Sequence, residues 1–139
     1  MLRSRLTPGN NVEELEDLVP EVDREYLTGK GYKFSASRVG ADVHVAIQHF
    51  SLPAAYLPRT VTLLIILPAG YPNANLDMFY TSPNVSLARG GVPVNCSAIN
   101  HVGVPWQQWS RHFATAWRQG TDDLRSFLAS VRHELNKGI

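Results

Sequence analysis

The chain has 139 residues, 44% of them hydrophobic and 18% charged, the make-up of one folded domain with one core rather than a disordered segment. Its formal net charge is +1 with both signs interspersed, which gives no electrostatic footprint for DNA, RNA or an acidic membrane. A single cysteine excludes an internal disulfide framework and a multi-cysteine zinc site.

Residues 1–10 read as a loose arm, and residues 11–139 as a single domain. The arm has basic residues but no apolar segment of the secretory kind. The longest apolar run, Leu63 to Leu67, is too short to span a bilayer. A cytoplasmic setting with a reduced thiol is the expectation. Asn11 with Glu14 reads as a helix N-cap with an acidic residue three positions on. Val12, Leu15, Leu18 and Val19 then share a helical face, which Pro20 ends or kinks. A second helical turn over Asp23 to Leu27 closes at Gly29 and Gly31.

Strands are expected next, over Tyr32 to Ser37, around Val43, Val45 and Ile47, over Thr60 to Leu67, and over Leu76 to Tyr80. The second alternates as a half-buried strand does, and the third is apolar on both faces, as a central strand requires. Residues 51–58 form a proline-containing link. From Thr81 to Pro105 neither period is sustained, and a loop of this length points to function rather than mere connection. Thr121 can cap a last helix whose apolar stripe is Leu124, Phe127, Leu128, Val131 and Leu135. Gly138 suits its C-terminal stop. Short links between the strands favour antiparallel pairing. The expected fold class is α+β: an N-terminal helix, a four-stranded antiparallel meander, a long active-site loop and a C-terminal helix.

That order, with Tyr71-Pro72, Phe79, Ser82-Pro83-Asn84, Cys96 and the later tryptophans, resembles the ubiquitin-conjugating enzymes (E2, UBC fold). These carry a Tyr-Pro turn, an aromatic residue at the end of the fourth strand, a His-Pro-Asn, a cysteine, and a tryptophan before a helix. The stretches LPAGYPNANLDMFYTSPNVSLA and WQQWSRHF, with the closing WRQGTDDLRSFLASVRHEL, are more closely similar to the bacterial group called prokaryotic E2 family E. The resemblance spans about residues 20 to 136. It implies an acyl carrier that accepts a ubiquitin-like protein from an E1-like activating enzyme and passes it to a target. It also implies a bacterial operon encoding those partners. No cofactor is implied.

Acyl transfer needs a nucleophile, a destination for its proton, and donors for an oxyanion. Counted forward from Tyr71, the family's cysteine falls at Cys96, with Asn95 and Asn100 near it as amide donors. Counted back from the last helix, through Trp117, it falls beside Ser110, with His112 as a natural base. The helix-anchored count uses the less variable segment and puts Ser110 with His112 ahead of Cys96. The intermediate is accordingly an oxyester or a thioester. Ser82 stands where the family has histidine. Asn84 lies further from Cys96 than the family spacing, which weakens its oxyanion role. Arg111 is read as a guide for a partner's C-terminal tail or as a solvated side chain. Trp106, Trp109 and Trp117 are read as core. His44 and His49 look like surface or edge residues, and no metal site is expected. Each candidate has a plain structural reading: Cys96 as a small buried hydrophobe, Ser110 as a helix cap, His112 as a partner of a loop carbonyl. The competing function is an inactive UBC-fold module that binds the ubiquitin-like protein or the E1-like enzyme.

Overall fold

A computed structural model describes residues 16–111 and 116–137 of the chain. The expected helix from Asn11 and the arm before it lie outside the described residues, apart from a 3-10 turn at Glu16–Leu18. Pro20 separates that turn from helix α1, Glu21–Gly29. A proline lacks the N–H that a helix start leaves unused, so a helix runs on after it without penalty. Gly31 ends α1 in the left-handed region, φ 79°, with its N–H on the Thr28 carbonyl at 2.9 Å.

Eight strands follow among the described residues: β1 Phe34–Val39, β2 Asp42–Ser51, β3 Tyr56–Leu57, β4 Thr60–Leu67, β5 Phe79–Ser82, β6 Ser86–Leu87, β7 Cys96–His101 and β8 Val104–Trp109. The second helix, α2, is Leu124–Lys137. The α+β class and the helix, sheet, helix order are those expected. The sheet, however, has six strands in the order β1-β2-β4-β5-β8-β7 rather than four, with β3 and β6 forming a separate pair. All the pairings are antiparallel. The segment read as an irregular loop therefore holds β6, β7 and the start of β8. Its hairpin turns through Val102 and Gly103, both at positive φ (53° and 75°), the conformation of a tight two-residue turn. Glycine adopts it freely, whereas a β-branched valine is strained there.

The core lies between one face of the sheet and the helices. Val45, Ile47, Leu63, Ile65, Phe79 and Trp109 from the strands meet Leu27, Leu124, Phe127, Leu128, Val131 and Leu135 from the helices. Trp109 is fully buried, stacked on Phe79 with ring centroids 5.2 Å apart, and its indole N–H donates to Thr81 Oγ1 at 2.9 Å. Trp106 and Trp117 are half-buried. On the opposite face of the sheet, His101 packs edge-on against Tyr80 at 4.7 Å and His44 at 5.5 Å. His44 is thus a half-buried contact of the hairpin end, while His49 is exposed in the irregular step between Ile47 and Phe50.

The start of α2 is capped by Asp123 rather than Thr121. Asp123 Oδ1 accepts from the Ser126 N–H at 3.1 Å, and Ser126 Oγ accepts from the Asp123 N–H at 2.9 Å. This is a reciprocal capping box, which satisfies two helix-start donors at once. The Tyr71-Pro72 turn is fastened to the same helix. Tyr71 Oη donates to Asp23 Oδ2 at 2.6 Å, and the Leu124 N–H donates to Asp23 Oδ1 at 3.3 Å. Trp117 completes the corner, donating from its indole to the Pro72 carbonyl at 2.9 Å. Asp23 is only 2% exposed, and burial raises its pKa, so its two donors must offset the cost of the buried carboxyl. Replacing Asp23 by Ala leaves a half-buried phenol and a buried N–H without an acceptor. The expected loss is about 2 kcal/mol of stability, read as a lowered midpoint in urea unfolding with an unchanged slope.

Candidate functional site

The candidates from the two counts meet at one end of the β7–β8 hairpin. Cys96 is the first residue of β7 and lies directly opposite Trp109. One step further, the Ser110 N–H donates to the Asn95 carbonyl at 2.9 Å. Residues opposite each other in an antiparallel pair project to the same face, and successive residues alternate. Cys96 therefore shares the core-side face with Trp109, and Ser110 belongs to the other face with Gln108. The hydrogen bonds agree: Ser110 Oγ accepts from Gln108 Nε2 at 3.2 Å and contacts Met78 Sδ at 3.9 Å. Neither neighbour is a base. His112 lies outside the described residues, and Ser110 follows a strand rather than capping a helix.

Asn95 bends the chain into β7 from the left-handed region, φ 56°, which asparagine tolerates better than most residues. It is exposed beside the half-buried Cys96. Asn84 is also exposed, just past β5. Its neighbour Val85 is tied to β8 instead, with both backbone groups bonded to the Gln107 side chain at 2.7 and 3.0 Å. Among the described residues no hydrogen bond joins Asn84 to Cys96, Ser110 or Arg111.

Arg111 overturns the solvated reading, being 7% exposed. Its guanidinium lies over the Trp109 ring at 5.0 Å, donates from Nη2 to the Val94 carbonyl at 3.0 Å, and pairs through Nη1 with Glu134 Oε1 at 3.6 Å. Its Nε–H is buried without an acceptor among the described residues. Glu134 is only 5% exposed and is shared with Lys137 Nζ at 3.1 Å. Tyr56 closes the cluster, edge-on to Trp109 at 5.9 Å with its hydroxyl donating to the Leu135 carbonyl at 2.6 Å.

Two opposed effects act on the Cys96 thiol. Burial raises its pKa, and the nearby Arg111 guanidinium acts to lower it; burial prevails. The thiol is therefore protonated at neutral pH, with a cation beside it that favours the thiolate when it forms. Sequence reasoning missed Glu134 and Tyr56. A signal existed for Glu134: it lies three residues past Val131, on the apolar stripe of α2, where a carboxylate calls for a buried partner. A cleft of about 420 Å³ opens elsewhere, lined by Asp77, Trp117, Arg118, Asp122 and Phe127 among others, and it contains none of the candidate residues.

Replacing Arg111 alone by Met leaves the buried Glu134 with only the exposed Lys137 ammonium as partner among the described residues, at a cost below the roughly 3–5 kcal/mol of a fully uncompensated buried charge. Arg111→Met combined with Glu134→Leu avoids that cost and isolates the effect on the thiol. With the guanidinium gone, the thiol pKa rises further. The pH midpoint for Cys96 alkylation by iodoacetamide should therefore move upward in the double variant, from a wild-type value already above that of an exposed cysteine. Quenched-flow or stopped-time mass spectrometry across pH 7 to 10.5 measures it.

Residues 19–138 match the family model described as prokaryotic E2 family E. No curated protein and no solved structure matches the chain. Among the described residues no helix is long and apolar enough to cross a membrane. The match extends from the 3-10 turn's edge at Val19 through the Tyr71-Pro72 corner, the β7–β8 hairpin and α2, so the chain belongs to prokaryotic E2 family E and has the E2-like role of that family in general terms.

Proposed function

We propose that this protein is an acyl carrier which accepts a ubiquitin-like protein from an E1-like enzyme as a thioester on Cys96 and passes it to a target. The observation that supports Cys96 over Ser110 is the Arg111 guanidinium beside its thiol. Ser110, by contrast, meets an amide and a thioether among the described residues, which do not include His112. A serine hydroxyl depends on a general base to react at neutral pH, whereas a thiol reacts through its thiolate even when that form is minor.

In the proposed step, Cys96 Sγ attacks the carbonyl carbon of the thioester on the E1-like enzyme. A new C–S bond forms to Cys96, and the bond to the departing sulfur breaks. The Cys96 proton leaves to solvent or to the departing thiolate, so the exchange is balanced without a redox partner. Arg111 stabilises the attacking thiolate electrostatically. Its Nε–H, free of an acceptor among the described residues, and the exposed Asn95 amide are the candidate donors to the oxyanion of the tetrahedral intermediate. Transfer onward to a target amine or hydroxyl repeats the chemistry with Cys96 as leaving group. The raised thiol pKa is the one observation that favours the second reading, a binding module without acyl chemistry.

The test is to incubate the protein with ATP and with the E1-like enzyme and ubiquitin-like protein of its operon, then run gels with and without reductant. The expected result is an adduct removed by reductant, retained in Ser110→Ala and lost as a thioester in Cys96→Ser. A reductant-stable, alkali-labile adduct that disappears in Ser110→Ala would instead make Ser110 the carrier. Absence of any adduct leaves the binding module.

A further inference from the structure

We propose that the free edge of β7 receives the C-terminal tail of the ubiquitin-like protein as an added antiparallel strand, which brings the tail's last carbonyl to Cys96. The proposal rests on the carrier reading for the identity of the tail, and on the sheet for the way it is held.

Among the described residues, strand β7 ends the six-stranded sheet, with β8 on one side. Which of its backbone groups face outward follows from the register. In an antiparallel pair, opposite residues alternate between those that exchange hydrogen bonds and those that do not. Asn100 lies opposite Pro105, which has no N–H to give, and Ser110 donates to Asn95. Both facts assign Asn95, Ser97, Ile99 and His101 to the bonded pairs with β8. The N–H and C=O groups of Cys96, Ala98 and Asn100 therefore point to the open edge. Among the described residues no backbone hydrogen bond outside the ladder reaches any of them.

An edge of this kind is usually blunted by a lysine, a proline or a bulge. The sequence of β7, Cys-Ser-Ala-Ile-Asn-His, has none of these. Ser97, Ala98 and Asn100 are exposed, and the small side chains of the first two leave room for a second backbone. Strand addition supplies affinity through main-chain bonds, which suits a ligand defined by its terminus. Direction is fixed by chemistry. A tail running antiparallel to β7 passes Asn100 first, then Ala98, and ends at Cys96, where its carbonyl is attacked. At about 3.4 Å per residue, its last five residues cover that path. The body of the partner then emerges beyond Asn100, at the hairpin turn, where Val102 and Val104 are 67% and 48% exposed. Two apolar side chains held out at a strained turn fit a contact with a folded partner.

The test has two arms. In the first, amide hydrogen exchange is followed by NMR on the full chain, alone and with excess unactivated ubiquitin-like protein of the same operon. Exchange at Ala98 and Asn100 should slow at least tenfold on addition, while Ser97 and Ile99 are slow already. No binding at millimolar partner, or binding without protection of these amides, overturns the proposal. So does concentration-dependent protection in the chain alone, which would mean that a second copy of the chain occupies the edge. In the second arm, Ala98→Pro removes an outward N–H while sparing the bonds to β8. Charging of Cys96 should fall at least tenfold, with its alkylation by iodoacetamide unchanged. If wild type is charged and Ala98→Pro is charged equally fast, edge docking falls and the carrier reading stands. If wild type takes no adduct but the partner protects Ala98, docking stands and the carrier reading falls.

Discussion

The buried pair between Arg111 and Glu134 is the constraint on which the geometry around Cys96 depends. Both charges are at most 7% exposed. Glu134 has Lys137 as a second partner, but the buried Arg111 guanidinium has Glu134 as its counter-charge among the described residues, and an isolated buried ion costs several kcal/mol. The pair can exist only if the end of β8 and the last half of α2 hold their positions together. Arg111 then does three further things from that fixed place. It covers Trp109, holds the Val94 carbonyl, and lies beside the Cys96 thiol. With the Ser110 N–H holding the Asn95 carbonyl, the chain entering β7 is tied at two successive residues. Cys96 is thereby fixed by these ties together with its own packing against the core.

This arrangement trades reactivity for position. Burial works against the thiolate and Arg111 works for it, with burial the larger effect. In the proposed carrier role, a thiol of that kind would be restrained toward chance electrophiles and would depend on a partner to bring an activated carbonyl into place. Such dependence suits a carrier, whose acyl group should move between two enzymes and not to water. The Asp23 clamp supports the same site from a distance. By joining α1, the Tyr71 turn and the start of α2, it sets where α2 begins and thus where Glu134 arrives.

Much of the frame was legible in the sequence because burial left a period. Strand β4 is apolar on both faces and was read with its observed bounds, and the stripe of α2 gave that helix. The hairpin left no such trace. Its turn is Val102-Gly103 rather than Asn-Gly or Asp-Gly, β7 is mostly small and polar, and Pro105 interrupts β8. The proline is harmless because it occupies a position that bonds nothing across the pair, a fact visible only in the register. Missing the hairpin made Cys96 and Ser110 look like rival placements of one residue. They are in fact near neighbours across two strands, facing opposite sides of the sheet. Arg111 was misjudged for a similar reason: its partner is on α2, far along the chain, and only the packing of the hairpin on that helix buries both.

The most direct measurement is the site of attachment itself. The protein charged with its ubiquitin-like partner is digested at acidic pH, which preserves thioesters, and the branched peptide is sequenced by mass spectrometry. The account predicts that the partner's C-terminal residue is joined to the peptide containing Cys96. Attachment to the peptide containing Ser110, or to a lysine with Cys96 unmodified, would contradict it.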